Sequence, residues 1–147
     1  MRYALIGCGR ISPNHIAAAK NNNLDIVAIC DTVPKCMEDK ALKFKFDENV
    51  KRYIDYKEML DKEHPELVAI CTESGKHAEI AIYCIEHGCH CIIEKPIALS
   101  IKDADAIIAA AIKNHVKVSA CHQNRFNKSV QIIREAIDMN RFGRLFH

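Results

Sequence analysis

Residues 3–12 of the chain read YALIGCGRIS, and this stretch decides the fold. Its first part, residues 3–7, is a short apolar run of the kind found in strands that are covered on both faces. The glycine-containing loop that follows opens a predicted helix, because Pro13 suits a first helical turn. A strand, a glycine-rich loop and a helix in this order form the context that the dinucleotide-binding fingerprint requires.

The rest of the chain repeats this alternation of short apolar runs with helical patterns. Further strands are predicted at residues 25–30, 66–71, 90–94 and 116–121, with a weaker one at 51–53. Further helices are predicted at residues 34–43, 55–62, 76–87, 101–115 and 127–140. Regular alternation of this kind implies a parallel sheet with right-handed crossovers. The predicted fold class is therefore α/β, a doubly wound parallel sheet of the Rossmann type.

The alternation stops near residue 122, which suggests a domain boundary. We assign residues 1–122 to a Rossmann dinucleotide-binding domain and residues 123–147 to a linking helix and the start of a second α/β domain. In that last segment Gly143 resembles a turn into a new strand. We expect that the substrate domain is missing or truncated here; a short native C-terminus is the alternative.

Composition and charge exclude several classes of protein. A length of 147 residues suits one domain, and 49% hydrophobic with 27% charged residues is ordinary for a globular chain. The formal net charge of +2 is too small to suggest nucleic-acid or membrane partners. The apolar run at the N-terminus is shorter than a secretory signal or a membrane span needs, so we expect a cytoplasmic protein.

The eight cysteines do not predict a disulfide scaffold or a metal site. Several of them, such as Cys30, Cys71 and Cys121, end apolar runs and resemble small buried hydrophobic residues. The stretch HGCHC, with Cys84 nearby, raises zinc as an alternative. Structural zinc sites bring two separated ligand pairs, and no second pair is present in the sequence. We therefore predict reduced thiols and no metal.

The opening loop carries the first candidate cofactor residues. Gly7 allows the tight turn and Gly9 lets the backbone approach a pyrophosphate, while the helix N-terminus supplies amide donors. Arg10 and Ile11 complete the loop and are also predicted to bind the cofactor. Ser12 stands at the third glycine position of the fingerprint, where its small side chain still permits close packing of helix and strand.

Asp31 ends the second predicted strand and selects between cofactors. From this position a carboxylate accepts hydrogen bonds from the hydroxyl groups of the adenosine ribose. A 2′-phosphate would meet like charge there, so the sequence predicts NAD in preference to NADP. In the alternative interpretation Asp31 only caps the following helix.

Two further constellations follow strands, at the sheet edge where α/β folds place their ligands. One is residues 72–77, which read TESGKH, and the other is Glu94-Lys95-Pro96. A lysine at such an edge can polarise a substrate hydroxyl or act as a base. A helix N-cap for Ser74 and a surface ion pair for Lys95 are the alternatives.

These motifs together resemble the N-terminal domain of the glucose-fructose oxidoreductase/inositol dehydrogenase (Gfo/Idh/MocA) family. The resemblance covers residues 7–18 (GCGRISPNHIAA), the strand VAICD, the loop CTESGKHAEIA and the segment IIEKPIALS. It implies that Lys95 is catalytic and contacts substrate and nicotinamide. It also implies a cofactor lining formed by Thr72, Ser74, His77 and Glu94. Glu73 stands where the family often has proline.

The segment CHQNRFNKSVQIIREAI (residues 121–137) is most similar to the WlbA-type branch, which oxidises C3 of UDP-N-acetylglucosaminuronate. The branch has QNRFNP where this chain has Lys128 in place of the proline. The resemblance implies that Gln123 contacts the cofactor and that Asn124 and Arg125 lie on the substrate side. Pairing of Arg125 with a nearby acid is the alternative.

The resemblance also predicts what this chain does not contain. The family's catalytic histidine, in an Asp-x-x-x-His pattern, belongs to the substrate domain, and none of the eight histidines matches it. The predicted function is hydride transfer from a sugar or nucleotide-sugar substrate to NAD, with the chain alone inactive and the full-length protein a homo-oligomer. A cyclitol or simple sugar as substrate, or a non-catalytic NAD-sensing protein, are the alternatives.

Overall fold

The computed structural model describes residues 1–144 and contains a six-stranded, all-parallel sheet with the order β3-β2-β1-β4-β5-β6. The fold class predicted from the sequence is confirmed. The strands are β1 (Arg2–Ile6), β2 (Asp25–Cys30), β3 (Lys51–Tyr53), β4 (Leu67–Ile70), β5 (His90–Ile93) and β6 (Val118–Ala120). The helices are α1 (Ser12–Asn21), α2 (Pro34–Phe44), α3 (Tyr56–Glu63), α4 (His77–Glu86), α5 (Ile101–Lys113) and α6 (Lys128–Asp138).

The strand order places a topological switch point beside β1. This strand pairs with β2 on one side and with β4 on the other. The crossovers that lead to β2 and to β4 therefore lie on opposite sides of β1. Crossovers that diverge in this way open a crevice at the carboxyl edge of the sheet, where doubly wound folds bind their ligands. The loop of residues 7–11 lies at the head of that crevice.

Alternate residues of β1 enter two separate hydrophobic cores, one on each face of the sheet. Tyr3 and Leu5 pack in a cluster with Ile16 of α1 and Met37 of α2. Ala4 and Ile6 pack in the other cluster, which contains side chains of α3, α4 and α5. The two-residue period of a strand thus explains why an unbroken apolar run is needed at residues 3–6.

Residues suited to helix ends occupy the ends of three helices. Pro13 lies in the first turn of α1, and Asn23 after its end adopts a left-handed backbone with φ of 53°. Gly88, with φ of 78°, follows α4. Ser100 caps α5 by accepting a hydrogen bond from the backbone N–H of Asp103 at 3.1 Å, and its hydroxyl donates to the Asp103 carboxylate at 2.8 Å.

The Ser100 cap yields a stability prediction. Ser100→Ala removes the acceptor for an otherwise unpaired helix N–H, which should lower the free energy of unfolding by about 1 kcal/mol. For a chain of this size that corresponds to a fall in melting temperature of about 3 °C, measurable by circular dichroism. Ser119→Ala, at an exposed position of β6, is the matched control. Equal melting temperatures for the two variants would contradict the assignment of the cap.

The last described helix differs from the others because none of its residues is buried. Its apolar residues nonetheless recur at helical spacing, with Val130, Ile133 and Ile137 on one side. The new strand predicted after Gly143 falls on residues 145–147, outside the described residues. Among the described residues, no helix combines the length and apolar character that crossing a membrane requires.

Candidate cofactor site

The opening loop depends on one glycine for its shape and leaves the other open to solvent. Gly7 has φ of 93°, and a Cβ atom there would lie 2.6 Å from the carbonyl carbon of Cys71 in the segment after β4. Gly9 is different, since a Cβ atom built on it has no neighbour within 4 Å. Gly7 therefore holds β1 against the end of β4, and Gly9 presents bare backbone towards the crevice.

Ser12 replaces the third glycine of the fingerprint without disturbing the packing of α1. The residue is fully buried, and its hydroxyl donates a hydrogen bond to the carbonyl oxygen of Gly9 at 2.7 Å. Ser12 is small enough for α1 to pack closely on the sheet, and its hydrogen bond to Gly9 also stabilises the loop.

Asp31 connects β2 to both flanking loops. One carboxylate oxygen accepts a hydrogen bond from the backbone N–H of Cys8 at 2.7 Å, and the other accepts one from Val33 at 2.8 Å. The bond to Val33 forms a turn before α2, and the N-terminus of α2 itself has no side-chain cap, so the capping role considered as the alternative is not observed. The bond to Cys8 was not predicted, and it shows that the carboxylate also fixes the glycine loop.

A solvent-open cavity of about 330 Å³ brings four of the predicted cofactor residues together. These are Gly7, Gly9, Asp31 and Thr72. The lining also includes Glu73 and Lys76 of the predicted TESGKH loop, and residues that sequence analysis did not select, namely Thr32, Ile54, Tyr56 and Glu79. Nothing in the local sequence marks Ile54 or Tyr56, because they reach the cavity only through the position of β3 at the sheet edge.

The charges around this cavity are predominantly negative. Asp31, Glu73 and Glu79 line it, and the one lysine in the lining, Lys76, forms an ion pair with Glu79 at 3.0 Å. That contact lowers the pKa of the exposed Glu79 carboxyl, first through the hydrogen bond and then through the charge of Lys76. The cavity therefore suits a ribose with free hydroxyl groups better than one that carries a further phosphate.

His77 connects the two predicted loops but is itself buried, with 1% of its surface exposed. Its Nδ1 atom lies 2.8 Å from the carbonyl oxygen of Pro96, and its Nε2 atom lies 3.1 Å from that of Thr72. Both ring nitrogens thus face backbone acceptors. The predicted contact between His77 and the cofactor stays a prediction; what the structure places here is a link between the ends of β4 and β5.

Glu94 is held by a residue that sequence analysis missed. Its Oε1 atom lies 2.8 Å from Nε2 of His15 on α1, and its Oε2 atom accepts a hydrogen bond from the backbone N–H of Lys95 at 3.2 Å. Both side chains are largely buried. The helical spacing of His15 from buried Ser12 and Ile16 could have indicated that His15 faces the sheet. Its partner Glu94 could not be found in this way, because it lies 79 positions away.

The predicted residues around Glu94 lie in a second cavity beside the first. Ile11, Glu94 and Gln123 line it, together with His15 and Cys121. Lys95 is exposed, and among residues 1–144 its ammonium group makes no hydrogen bond or ion pair, so the surface ion pair considered as the alternative is not formed. A side chain in this state is available to a ligand.

The other predicted residues lie at the margin of these cavities. Arg10, Asn124 and Arg125 are exposed, and Arg125 lines a separate groove along α6. Ser74 begins a short 3-10 turn at Ser74–Lys76, and no side-chain cap is made there. The predicted contacts of these four residues with cofactor or substrate stay predictions.

The six buried cysteines belong to the two hydrophobic cores. Cys84, Cys89 and Cys91 lie in the hydrophobic core on the α4 face. Burial raises the pKa of the Cys8 thiol to about 12, and the negative charge of Asp31 contributes. Burial likewise raises the pKa of Cys30 to about 12. These thiols are therefore protonated at neutral pH.

Comparison with known proteins decides the family. Residues 1–122 match the family described as an oxidoreductase family with an NAD-binding Rossmann fold, GFO_IDH_MocA. The chain belongs to this family. The resemblance read from the GCGRIS loop and the Glu94-Lys95-Pro96 motif is thereby confirmed, as is NAD as the family's cofactor.

Individual relatives of this Gfo/Idh/MocA chain include enzymes with different substrates. A myo-inositol 2-dehydrogenase of Thermotoga maritima is 28% identical over 145 residues, which are 98% of this chain and 42% of the relative. The WlbA dehydrogenase of Chromobacterium violaceum, solved with NADH and UDP-GlcNAcA, aligns with a TM-score of 0.88 and 30% identity over 98% of this chain and 41% of that one.

The corresponding WlbA structure from Bordetella pertussis, also with NADH and UDP-GlcNAcA, aligns with a TM-score of 0.86 and 32% identity. It covers 97% of this chain and 43% of that one. The chain therefore spans about two fifths of the length of these relatives. What it contains is the NAD-binding part of the Gfo/Idh/MocA architecture.

Proposed function

We propose that this chain is the cofactor half of an NAD-dependent dehydrogenase that oxidises a sugar carbinol, specifically C3 of a UDP-N-acetyl-hexosaminuronate. The observation that carries the proposal is the exposed ammonium group of Lys95, which has no partner among residues 1–144. Lys95 follows β5 at the same carboxyl edge of the sheet as the cavity lined by Gly7, Gly9 and Asp31. The family supports the reaction type, and the two WlbA structures support the nucleotide-sugar substrate.

The residues present fit NAD on geometric grounds. The bare backbone at Gly9 and the N-terminus of α1 offer amide donors and a positive dipole end to a diphosphate. The Asp31 carboxylate lies in the same cavity and, although it already accepts two backbone hydrogen bonds, retains lone pairs for ribose hydroxyl groups. NAD, when bound, supplies the hydride acceptor.

We propose that the residues of this chain position the cofactor and polarise the substrate hydroxyl. Lys95 lies two residues after the end of β5, at the carboxyl edge of the sheet, and its ammonium group can donate a hydrogen bond to the substrate hydroxyl whose carbon loses the hydride. Glu94 accepts a hydrogen bond from the backbone N–H of Lys95, and His15 holds Glu94 from α1. We propose that Gln123 contacts the cofactor from the β6 side and that Asn124 and Arg125 face the substrate.

The proton of the substrate hydroxyl needs an acceptor that the Lys95 ammonium group cannot provide while it is charged. We propose that a base outside this chain takes it, consistent with the two fifths of the relatives' length that the chain covers. Residues 1–147 alone should then bind NAD without turnover. Robust dehydrogenase activity from these residues alone would contradict this division of roles.

Lys95→Ala tests the proposal in the enzyme that carries both halves. With UDP-GlcNAcA as substrate, we expect kcat/KM to fall at least about a thousandfold, roughly 4 kcal/mol of transition-state stabilisation. The dissociation constant for NADH should change less than about threefold, since Lys95 contributes mainly to the reacting groups. Lys102→Ala, a lysine of α5 that is also exposed, is the matched control. A non-catalytic NAD sensor would show no sugar oxidation before or after the change.

A cyclitol substrate is the second candidate, and the myo-inositol 2-dehydrogenase of Thermotoga maritima is the observation that favours it. The two candidates differ in the nucleotide. Reduced-cofactor absorbance with myo-inositol but not with UDP-GlcNAcA would support the cyclitol and reject the nucleotide sugar.

A further inference from the structure

Three side chains from three separate elements converge beside the proposed cofactor site. They are His15 of α1, Glu94 directly after β5 and Cys121 directly after β6. The His15 Nε2 atom, a Glu94 carboxylate oxygen and the Cys121 Sγ atom all lie within 4.8 Å of one another. Sequence analysis predicted no metal because it considered cysteine pairs that are close in sequence, and these three residues are far apart along the chain.

From this cluster we infer a binding site for a borderline-soft divalent cation of the zinc class. The donor set of one imidazole nitrogen, one carboxylate oxygen and one thiolate sulfur contains the three atom types that zinc selects. Three protein ligands leave a fourth position for water, as in open zinc sites. The inference does not depend on the proposed substrate. Glu94 and Gln123, which line the same cavity, are also predicted cofactor residues, so the site is tested without NAD.

The spacing of the donors suits a cation after a small adjustment. Tetrahedral zinc with bonds of about 2.0–2.3 Å separates its ligand atoms by about 3.4 Å. The Nε2–Oε1 distance of 2.8 Å would therefore open by about half an ångström. The Cys121 sulfur already lies within 4.8 Å of both other ligand atoms. The second oxygen of Glu94 can keep its hydrogen bond from the backbone N–H of Lys95.

Burial and charge at the cluster favour a cation over an empty ion pair. The side chains of His15 and Glu94 are each 11% exposed, so the carboxylate is poorly hydrated. A divalent cation would neutralise both the carboxylate and the thiolate.

A second polar group beside Cys121 also lacks a partner. The hydroxyl of Tyr3 is buried and has no hydrogen-bond partner within the described part of the chain, although Tyr3 is only 2% exposed. Burial raises its pKa, and the neighbouring thiols Cys71 and Cys121 contribute. The hydroxyl is therefore a buried polar group without a partner in the electrostatic neighbourhood of Cys121.

A cation can reach the cluster from solvent. The cavity that contains all three donors has a volume of about 320 Å³, and Asn14 and Gln123 at its exposed rim carry amide oxygens. Binding of the cation releases one proton. The thiol proton of Cys121 leaves to solvent, and Nε2 of His15 binds the cation through its lone pair, with the ring proton on Nδ1 in the bound state.

The test uses Co²⁺ as a spectroscopic substitute for Zn²⁺ in residues 1–147, with NAD absent. The inference predicts one equivalent of Co²⁺ with a thiolate-to-cobalt charge-transfer band, displaced by Zn²⁺. Cys121→Ser and His15→Gln should each reduce the affinity for Co²⁺ at least about tenfold, and Cys121→Ser should also abolish the band. Cys36→Ser is the matched control, since Cys36 is likewise half-buried but lies on α2.

A second measurement avoids variants that fail to fold. Zn²⁺ should protect Cys121, and not Cys36, from alkylation in the unmodified chain, with the modified residue located by mass spectrometry. Absence of a charge-transfer band in the unmodified chain, its persistence in Cys121→Ser, or equal alkylation of Cys121 with and without Zn²⁺ would each overturn the inference. Failure of the proposed dehydrogenase function would leave all of these readouts unchanged.

Discussion

Gly7→Ala should destabilise the domain more than any other single methyl group added to the opening loop. The new Cβ would lie 2.6 Å from the carbonyl carbon of Cys71, which is backbone of the segment after β4 and cannot move aside. The residue would also keep a φ of 93° that side chains rarely adopt. Strain and overpacking together should cost about 2–5 kcal/mol, a large share of the 5–15 kcal/mol that stabilises a typical domain.

Gly9→Ala is the matched control for this prediction, because it adds the same methyl group two residues away. No atom lies within 4 Å of its Cβ, so the free energy of unfolding should change by less than about 1 kcal/mol. NADH affinity should nevertheless fall, since the methyl group would occupy the space that a diphosphate needs. Urea denaturation of both variants measures the contrast. A Gly7→Ala chain as stable as Gly9→Ala would contradict the account of the loop.

Asp31→Ala should have the largest effect on cofactor preference. The change removes the carboxylate that lies in the cavity and that accepts hydrogen bonds from the backbone N–H groups of Cys8 and Val33. NADH affinity should fall about 10- to 100-fold, which corresponds to about 1.4–2.8 kcal/mol. NADPH affinity should fall less, because the repulsion between the carboxylate and a 2′-phosphate is lost as well.

The control for Asp31→Ala is Asp25→Ala, which removes a charge from the opposite end of the same strand. Asp25 is exposed and distant from the carboxyl edge of the sheet. Binding of NADH and NADPH to each variant can be measured by nucleotide fluorescence. An unchanged ratio of the two affinities in Asp31→Ala would show that the carboxylate does not select the cofactor.

The sequence predicted most of the fold because its signals are local. The buried apolar runs, Pro13, Ser100 and Gly88 each determine the start, end or period of a single element, and the strand order then follows from the limited set of parallel topologies. Even the unusual Ser12 was interpretable, since only its size mattered for the approach of α1 to the sheet.

The site was predicted less completely because its contacts join distant residues. Asp31, Thr72 and Glu94 could be predicted because they lie at the ends of strands, and all three line cavities at the carboxyl edge of the sheet. The contact between His15, Glu94 and Cys121 could not be predicted, since nothing in the sequence states which residue of α1 faces which strand. The motif position of His77 likewise did not reveal that its two ring nitrogens face the backbone carbonyls of Pro96 and Thr72, while its contact with the cofactor stays a prediction.

Binding of NADH and NADPH to residues 1–147, monitored by the enhancement of nucleotide fluorescence at physiological salt, tests the assignment of the cofactor site. We expect saturable binding of one NADH per chain, at least about tenfold tighter than NADPH, a difference of about 1.4 kcal/mol or more. Gly9→Ala should weaken it while the chain stays folded. Equal or tighter binding of NADPH, or no detectable binding of NADH to the folded chain, would contradict the account.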